Sequence, residues 1–279
     1  MRNEDFSEFK QAVTGADHEV DLFGAALIVS RLGGHRVEPH RTARQIDLIA
    51  EAALEHAGMA PSHDALAHAI DYQLFQACGY RGDTETYNDP RNSYLDLVVD
   101  RKLGIPITLS LLYMEVAQRV GLPCDGVGYP GHFIVRYGGA DEYTYVDPFQ
   151  QGARIDREEL LARLRAHRLG GSQPEMFLAG VTRRQVLQRM LNNLLVVFRE
   201  QRDLERWYSV LELQLCLEPW NANLVGERGM LHYRLGRMEA ALTDLEAYVS
   251  ASEGEVASRG ALRLLDQLRL QQGGTGELR

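Results

Sequence analysis

Apolar positions recur with a helical period over most of the first 80 residues. Residues 20–32, 42–56 and 65–78 each carry apolar side chains at helical spacing, and a glycine follows shortly after each stretch. Such spacing is typical of amphipathic helices, and glycine often ends them. The pattern therefore predicts a helical N-terminal layer over residues 1–80.

Further along the chain the pattern predicts a short helix and then a longer one. After a polar, turn-like stretch, Asn92 or Ser93 is placed to cap a helix that runs to about Lys102. The longer helix opens at Pro106 and ends at Gly121. Proline suits the first turn of a helix because its missing N–H would have no partner there.

Two stretches favour strands. Residues 131–137 and 143–147 are rich in β-branched and aromatic residues, which fit a pleated, half-buried surface. A type II′ turn centred on residues 139–140 would join them as an antiparallel hairpin. In that register His132 faces Asp147, whereas a slip of one residue would place the two on opposite faces.

From residue 183 onward the helical period returns and repeats. Positions in 191–219 match positions in 225–253 at a separation of 34 residues, and the second unit resembles a tetratricopeptide repeat. We expect residues 257–270 to form a capping helix and residues 273–279 to form a disordered tail.

The composition narrows the classes of function. The chain has 279 residues, which is long enough for two domains with full hydrophobic cores. Its 30 basic and 39 acidic residues give a net charge of −9, which argues against nucleic acid or an anionic membrane as the main partner. Its three widely spaced cysteines argue against a disulfide framework. We expect no export signal, no membrane span and a cytoplasmic location.

His132 and Asp147 suggest a specific kind of chemistry beside the helix that begins at Pro106. In papain-like enzymes, such a helix carries a cysteine in its first turn and a strand histidine faces the thiol. The helix N-terminus and the imidazolium lower the thiol pKa, and a third side chain orients the imidazole. The pair would supply the second and third members of such a site.

The stretch from Tyr87 to Gly152, with GIPITLSLLYMEVAQRVGLPCDGVGYPGHFIVRY and YVDPFQQG, resembles the bacterial SirB-type family of transglutaminase-like proteins. The resemblance covers most of the chain. It implies an α+β fold that is mostly helical, with a papain- or transglutaminase-like core and a small antiparallel sheet, followed by an all-α tetratricopeptide-like module. The implied domains are residues 1–178, with their core in 85–165, and residues 179–272.

When the family's site residues are matched to this sequence one by one, the histidine and the carboxylate are present but the nucleophilic cysteine is not. His132 matches the strand histidine and Asp147 matches the carboxylate. Active members carry their cysteine 15 positions before the glycine that ends its helix, and counting back from Gly121 reaches Pro106. Proline has no nucleophile, so the resemblance implies a member without the family thiol.

Two other residues are candidates for the missing group. Ser110 lies on the same helix face as Pro106, about 6 Å further along the axis at 1.5 Å per residue. Hydroxyls inside helices, however, commonly bond to the backbone. Cys124 precedes the histidine strand and is better explained as a small apolar residue of the core.

Asn92, Arg91 and Tyr129, together with Pro106, are candidates to line a groove around His132. Each of the first three also has a structural explanation, as a helix cap, as half of an ion pair and as support for a Pro-Gly turn, respectively. The spacing of the other histidines does not fit a metal site, and no glycine-rich phosphate loop is present. We therefore expect neither a metal nor a cofactor.

Two functions follow from these residues. The first is non-catalytic binding or regulation, in which the groove near His132, the repeats, or both bind a protein or peptide. The alternative is a cryptic amide or peptide hydrolase, or an acyl transferase. It would use His132 as the base, Asp147 to orient it, and Ser110 or water as the nucleophile.

Overall fold

The computed structural model describes residues 1–139, 142–171, 173–251 and 259–274. The chain divides into two compact units. Gln11–Asn193 forms what we call the core unit, and Met1–Lys10 together with Leu194–Arg279 forms the repeat unit. The domain boundary expected after residue 178 stays a prediction. None of the described helices is long and apolar enough to cross a membrane.

The first seven helices include the three that the N-terminal pattern predicts. They are α1 (Asn3–Ala12), α2 (Leu22–Ser30), α3 (Pro39–Ala57), α4 (His63–Asp71), α5 (Leu95–Arg101), α6 (Pro106–Val120) and α7 (Arg157–Ala166). Asp21 caps α2 by accepting from the Gly24 N–H, and Ser62 caps α4 by accepting from the Ala65 N–H. Helix α4 continues as a π-helical segment over Tyr72–Ala77. The predicted mostly helical fold is confirmed.

The cap predicted for α5 is wrong. Helix α5 follows Tyr94, which makes no side-chain cap, and Asn92 lies one turn earlier in a 3₁₀ helix over Pro90–Ser93. The Asn92 amide instead donates to Asp83 Oδ2 at 3.1 Å and to the Thr86 carbonyl at 2.8 Å. Hydrogen bonds to residues six and nine positions earlier thus take the side chain away from the helix terminus.

Helix α6 begins at Pro106, as predicted, and is buried along most of its length. Gly121 ends it in the left-handed region, with φ 77°, where glycine is favoured. Thr108 Oγ1 accepts from the Ile105 N–H at 3.2 Å and donates to the Asn92 carbonyl at 2.7 Å. These bonds fix the start of α6 against the loop that precedes α5.

Two sheets flank these helices. A parallel pair joins β1 (Arg81–Gly82) to β2 (Leu103–Gly104), directly before α6. The second sheet is antiparallel in the order β3 (Cys124–Val127), β4 (Ile134–Gly139), β5 (Glu142–Asp147) and β6 (Ala153–Ile155).

The predicted hairpin exists, but its register differs by two residues. Val135 pairs with Val146 and Gly139 with Glu142, so β4 continues through Gly139 and starts at Ile134, after His132. The expected turn at residues 139–140 is therefore wrong. Gly138 has φ 120°, and a Cβ there would lie 2.5 Å from the Glu142 carbonyl oxygen, so glycine lets the strands stay paired here. A shift of two leaves every side chain on its predicted face. Residues 140 and 141 lie outside the described residues.

The antiparallel sheet and α7 share one hydrophobic cluster. Its fully or nearly buried members come from β3, β4 and β5, from α7 and from the segments around them: Val127, Tyr129, Ile134, Tyr145, Leu160, Leu161, Leu164 and Leu178. Burial of this apolar surface fixes the sheet, and with it the strand ends that carry the histidine and the carboxylate.

The remaining helices carry the repeats. They are α8 (Arg183–Gln201), α9 (Leu204–Leu217), α10 (Ala222–Arg234), α11 (Met238–Ala251) and α12 (Arg259–Gly274). Helices α10 and α11 pack closely because Gly226 of α10 has no side chain to keep the Tyr248 ring of α11 away. A Cβ at Gly226 would lie 2.7 Å from that ring. The predicted capping helix corresponds to α12. Residues 273 and 274 of the predicted tail belong to α12, and the rest of the tail lies outside the described residues.

Candidate functional site

The structure places His132 beside Asp147. The imidazole Nε2 lies 2.8 Å from Asp147 Oδ2. His132 stands just before β4, in a turn where its own N–H donates to the Tyr129 carbonyl at 2.9 Å. Gly131 supplies the positive φ of 73° that this turn requires. Asp147 is the last residue of β5, so adjacent strands of one sheet bring the two side chains together.

Asp147 holds the imidazole in one orientation. Its Oδ1 accepts from the Phe149 and Gln150 N–H groups at 3.0 and 3.3 Å, which leaves Oδ2 for His132. The Asp147 side chain is 7% exposed and the His132 side chain 27% exposed. With Nε2 donating to the carboxylate, Nδ1 is the imidazole nitrogen available to a ligand or a reacting group.

Two aromatic rings extend the site. The Phe149 ring meets the His132 ring edge-on, with centroids 6.0 Å apart, and meets the Tyr87 ring edge-on at 6.2 Å. Gly82 makes room for Phe149, because a Cβ at Gly82 would lie 2.5 Å from the ring. Phe149 and Gly82 were not predicted from the sequence. Phe149 follows Asp147 by two residues, and this closeness to the predicted carboxylate could have marked it as a residue of the site.

Helix α6 lies close to the 3₁₀ turn that carries Phe149. Gly82 pairs with Gly104, two residues before Pro106, and also contacts Phe149. Pro106 is the first residue of α6 and is buried. The resemblance assigns the family thiol to this position, and that assignment stays a prediction.

Neither substitute nucleophile is activated by this geometry. Ser110 is fully buried, and its hydroxyl donates to the Phe133 carbonyl at 3.3 Å. Cys124 begins β3, and burial raises the pKa of its thiol, with a further rise from the nearby Asp125. A raised pKa keeps the thiol protonated, and the thiolate is the reactive form.

The other predicted groove residues contact the protein itself. The Asn92 Oδ1 accepts from Arg101 at 3.0 Å, in addition to the two bonds that its amide donates. Arg91 pairs with Asp89 at 2.5 Å. The Tyr129 hydroxyl donates to the Leu160 carbonyl at 2.9 Å. These contacts support the fold, and a role for the three residues in a groove stays a prediction.

Asp83 ties the loop that carries Tyr87 to the start of α6. Its carboxylate accepts from the Thr86 N–H at 2.8 Å, from Thr86 Oγ1 at 2.7 Å and from the Asn92 amide at 3.1 Å. Its own N–H donates to the Gly104 carbonyl at 2.9 Å. The hydrogen bonds from Thr86 lower the pKa of Asp83 to about 2.

We expect Asp83→Asn to lower the free energy of unfolding by roughly 1–3 kcal/mol at neutral pH, because it removes a charged acceptor from one buried and several partly buried hydrogen bonds. A carboxyl whose pKa is lower in the folded state stabilises that state above about pH 4 and loses this contribution as the pH falls toward 2. Urea unfolding followed by circular dichroism should therefore show a gap between wild type and variant that closes at acid pH. Glu85→Gln, in the same loop, should leave stability unchanged. A gap that stays constant down to pH 2 would contradict this assignment.

The core unit also contains a cleft of about 970 Å³, which Cys124 but not His132 lines. Charged residues of this cleft are already paired: Asp21 caps α2, and Arg119 bonds to Glu115 Oε2 at 2.7 Å. Within the described ranges, no three His, Cys, Asp or Glu side chains lie close enough together to hold a metal ion.

Comparison with known proteins finds a family match for most of each unit. Residues 40–192 match the transglutaminase-like superfamily, and residues 194–269 match a tetratricopeptide repeat. A UPF0162 protein of Xylella fastidiosa (strain Temecula1 / ATCC 700964) is 35% identical over 242 residues, which cover 84% of each chain. A UPF0162 protein of Vibrio cholerae is 25% identical over 188 residues, or 66% of this chain and 69% of that one.

A eukaryotic relative shares only part of this architecture. F-box only protein 21 of Mus musculus is 32% identical over 181 residues, which cover 60% of this chain and 28% of that protein. The two UPF0162 proteins named above match over 84% and 69% of their own length. The chain therefore belongs to the UPF0162 family, the SirB-type proteins, in which a transglutaminase-like domain precedes tetratricopeptide repeats.

Proposed function

We propose that this protein is a non-catalytic member of the transglutaminase-like superfamily that binds a protein or peptide partner. The observation that carries the proposal is the buried Pro106 at the first position of α6, in a chain whose His132–Asp147 pair is intact. Without a nucleophile, the histidine and the carboxylate still present a hydrogen-bonding group of fixed orientation that is partly exposed to solvent. Such a group is sufficient to bind a ligand.

The repeat unit supports the same proposal. Tetratricopeptide repeats commonly mediate contacts between proteins, and stacked helix pairs create extended surfaces for this purpose. The three free cysteines fit a protein that works in a reducing compartment such as the cytoplasm.

A hydrolase or acyl transferase is the alternative, and the described geometry disfavours it. A serine needs an adjacent base to become a nucleophile, but the Ser110 hydroxyl donates to a backbone carbonyl. Thiol chemistry through Cys124 is disfavoured by its raised pKa. A water activated by His132 would be the remaining route.

Labelling with electrophiles tests the proposal. Wild type, His132→Ala and His35→Ala would each be incubated with a chloroacetamide probe and a fluorophosphonate probe, and the adducts located by mass spectrometry. His35 is a matched control because it bonds to Asp96 at 2.6 Å and has the same exposed fraction as His132. We expect no adduct that depends on His132. An adduct on Ser110 or Cys124 that is lost only in His132→Ala would contradict the proposal.

A further inference from the structure

Glu115 is a nearly buried residue of α6 that lines the cleft of about 970 Å³ in the core unit. The residue is 5% exposed, and Arg119 Nη1 donates to its Oε2 at 2.7 Å. Its Oε1 makes no hydrogen bond with the residues that the structure describes. A buried carboxylate is stabilised by hydrogen bonds and by opposite charge, so this oxygen is an acceptor for a ligand in the cleft.

Arg119 does not neutralise Glu115 by itself. The same guanidinium also donates from Nε to Asp47 Oδ1 at 2.7 Å, so two carboxylates share one positive charge. Burial raises the pKa of the Glu115 carboxyl, and the hydrogen bond from Arg119 opposes that rise. A second cation at Oε1 would therefore meet a carboxylate whose charge is only partly neutralised, in surroundings where water screens the attraction poorly.

The other charges of the cleft leave the same excess of negative charge. Two lining carboxylates are paired with arginines: Asp17 with Arg184 at 3.8 Å and Asp125 with Arg136 at 3.1 Å. Asp21 caps α2 and pairs with no arginine that the structure describes. With histidine counted as neutral, three carboxylates, of Glu115, Asp21 and Asp47, are left for the guanidiniums of Arg119 and Arg183. This pattern is complementary to one added cation.

A guanidinium suits this position better than an ammonium. It is the more weakly hydrated of the two cations, so it loses less when it leaves water for a nearly buried carboxylate, and its planar face packs on aromatic side chains. Arg119 already lies over the Phe23 ring in this cleft, with Cζ 5.5 Å from the centroid. A cleft of this volume holds a ligand of drug size, so it has room for the residues on either side of an arginine.

We propose that this cleft binds an arginine side chain of a protein or peptide partner. The guanidinium donates to Glu115 Oε1, and its alkyl chain packs against the apolar lining residues Met114 and Leu122. The inference goes beyond the proposed function, because His132 does not line this cleft. It would hold equally if His132 acted as a base in catalysis.

The test follows the ε-methyl NMR signal of Met114 in the full chain labelled with ¹³C-methyl methionine. The ligands are acetyl-Gly-Arg-Gly-amide, the same tripeptide with lysine or citrulline in place of arginine, and butylguanidinium. We expect the arginine peptide to bind with a Kd of about 1 mM, as suits so small a ligand, and the lysine peptide and butylguanidinium to bind at least about fivefold more weakly. Citrulline is close to arginine in shape but carries no charge, so its peptide should not bind. The signal of Met59, which is fully exposed and outside the cleft, is the internal control.

Two variants remove negative charge from the cleft. Glu115→Gln should weaken binding of the arginine peptide about tenfold, because the charge-assisted hydrogen bond is lost while Arg119 keeps an acceptor. Asp21→Asn preserves the helix cap, since asparagine caps as well as aspartate does, and the missing charge should weaken binding about twofold to fivefold. Glu55→Gln, which removes an exposed negative charge of α3 outside the cleft, should leave the Kd unchanged.

Several results would overturn the inference: equal binding of the arginine and citrulline peptides, an unchanged Kd in both cleft variants, or no shift of the Met114 signal at about 20 mM peptide. A lysine peptide that binds as tightly would overturn the choice of a guanidinium. Butylguanidinium that binds as tightly as the tripeptide would overturn the choice of a polypeptide ligand. None of these results depends on His132, so the labelling experiment tests the proposed function separately.

Discussion

Replacing Phe133 by alanine is expected to lower the free energy of unfolding of the core unit by about 3–5 kcal/mol. Phe133 is 2% exposed and directly follows His132. Its ring lies against Gly126 of β3, where an added Cβ would be 2.8 Å away. Its carbonyl accepts the Ser110 hydroxyl of α6. The residue therefore joins the histidine turn, the sheet and the central helix, and removing the ring leaves a cavity among all three.

The measurement must report on the core unit. Both tryptophans, Trp207 and Trp220, lie in the repeat unit, so tryptophan fluorescence would follow the wrong part of the chain. Hydrogen exchange of the α6 backbone, measured by mass spectrometry across a urea series, follows the unfolding of the core unit. Met59→Ala is the control, because Met59 is fully exposed and should change stability by less than about 0.5 kcal/mol. A loss below about 1 kcal/mol in Phe133→Ala would show that this ring does not hold the three elements together.

The sequence was sufficient where local patterns determine structure. Helices α2, α3 and α6 follow from apolar spacing, α6 begins at the predicted Pro106, and a glycine with positive φ ends α3 and α6. The two strands around the hairpin follow from their β-branched and aromatic residues. The register of the hairpin could not be predicted in this way. Gly138 and Gly139 are typical turn residues, but the structure keeps them in β4.

The site was predictable only in part, for a related reason. Asp147 ends β5 and His132 stands two residues before the adjacent strand β4, so a hairpin is enough to place them near each other. Gly82 and Phe149 come from a parallel pair and a 3₁₀ turn. No local pattern relates these residues, since their proximity results from tertiary packing. Asn92 is not a cap because its amide donates to Asp83 and Thr86, nine and six residues earlier.

Pro106→Cys is expected to create a reactive thiol. If position 106 is that of the family thiol, a cysteine there would lie at a helix N-terminus and next to the His132 imidazolium, and both lower a thiol pKa, to between about 3.5 and 7.5 in known sites. The larger thiolate fraction at pH 6 outweighs the weaker intrinsic nucleophilicity of a low-pKa thiol. We therefore expect alkylation by iodoacetamide at pH 6 to be about fivefold to tenfold faster than for the same cysteine in a His132→Ala background.

The pH profile of that alkylation rate, measured at residue 106 by peptide mapping, tests most directly whether Pro106 occupies the position of the family thiol. We expect the Pro106→Cys rate to reach its plateau near pH 6 to 7, and the rate in Pro106→Cys/His132→Ala to keep rising to about pH 8.5, the pKa of an ordinary thiol. Such a result would mean that the site retains everything except its nucleophile. Two profiles that coincide and both rise to pH 8.5 would contradict the claim that Pro106 occupies the position of the family thiol.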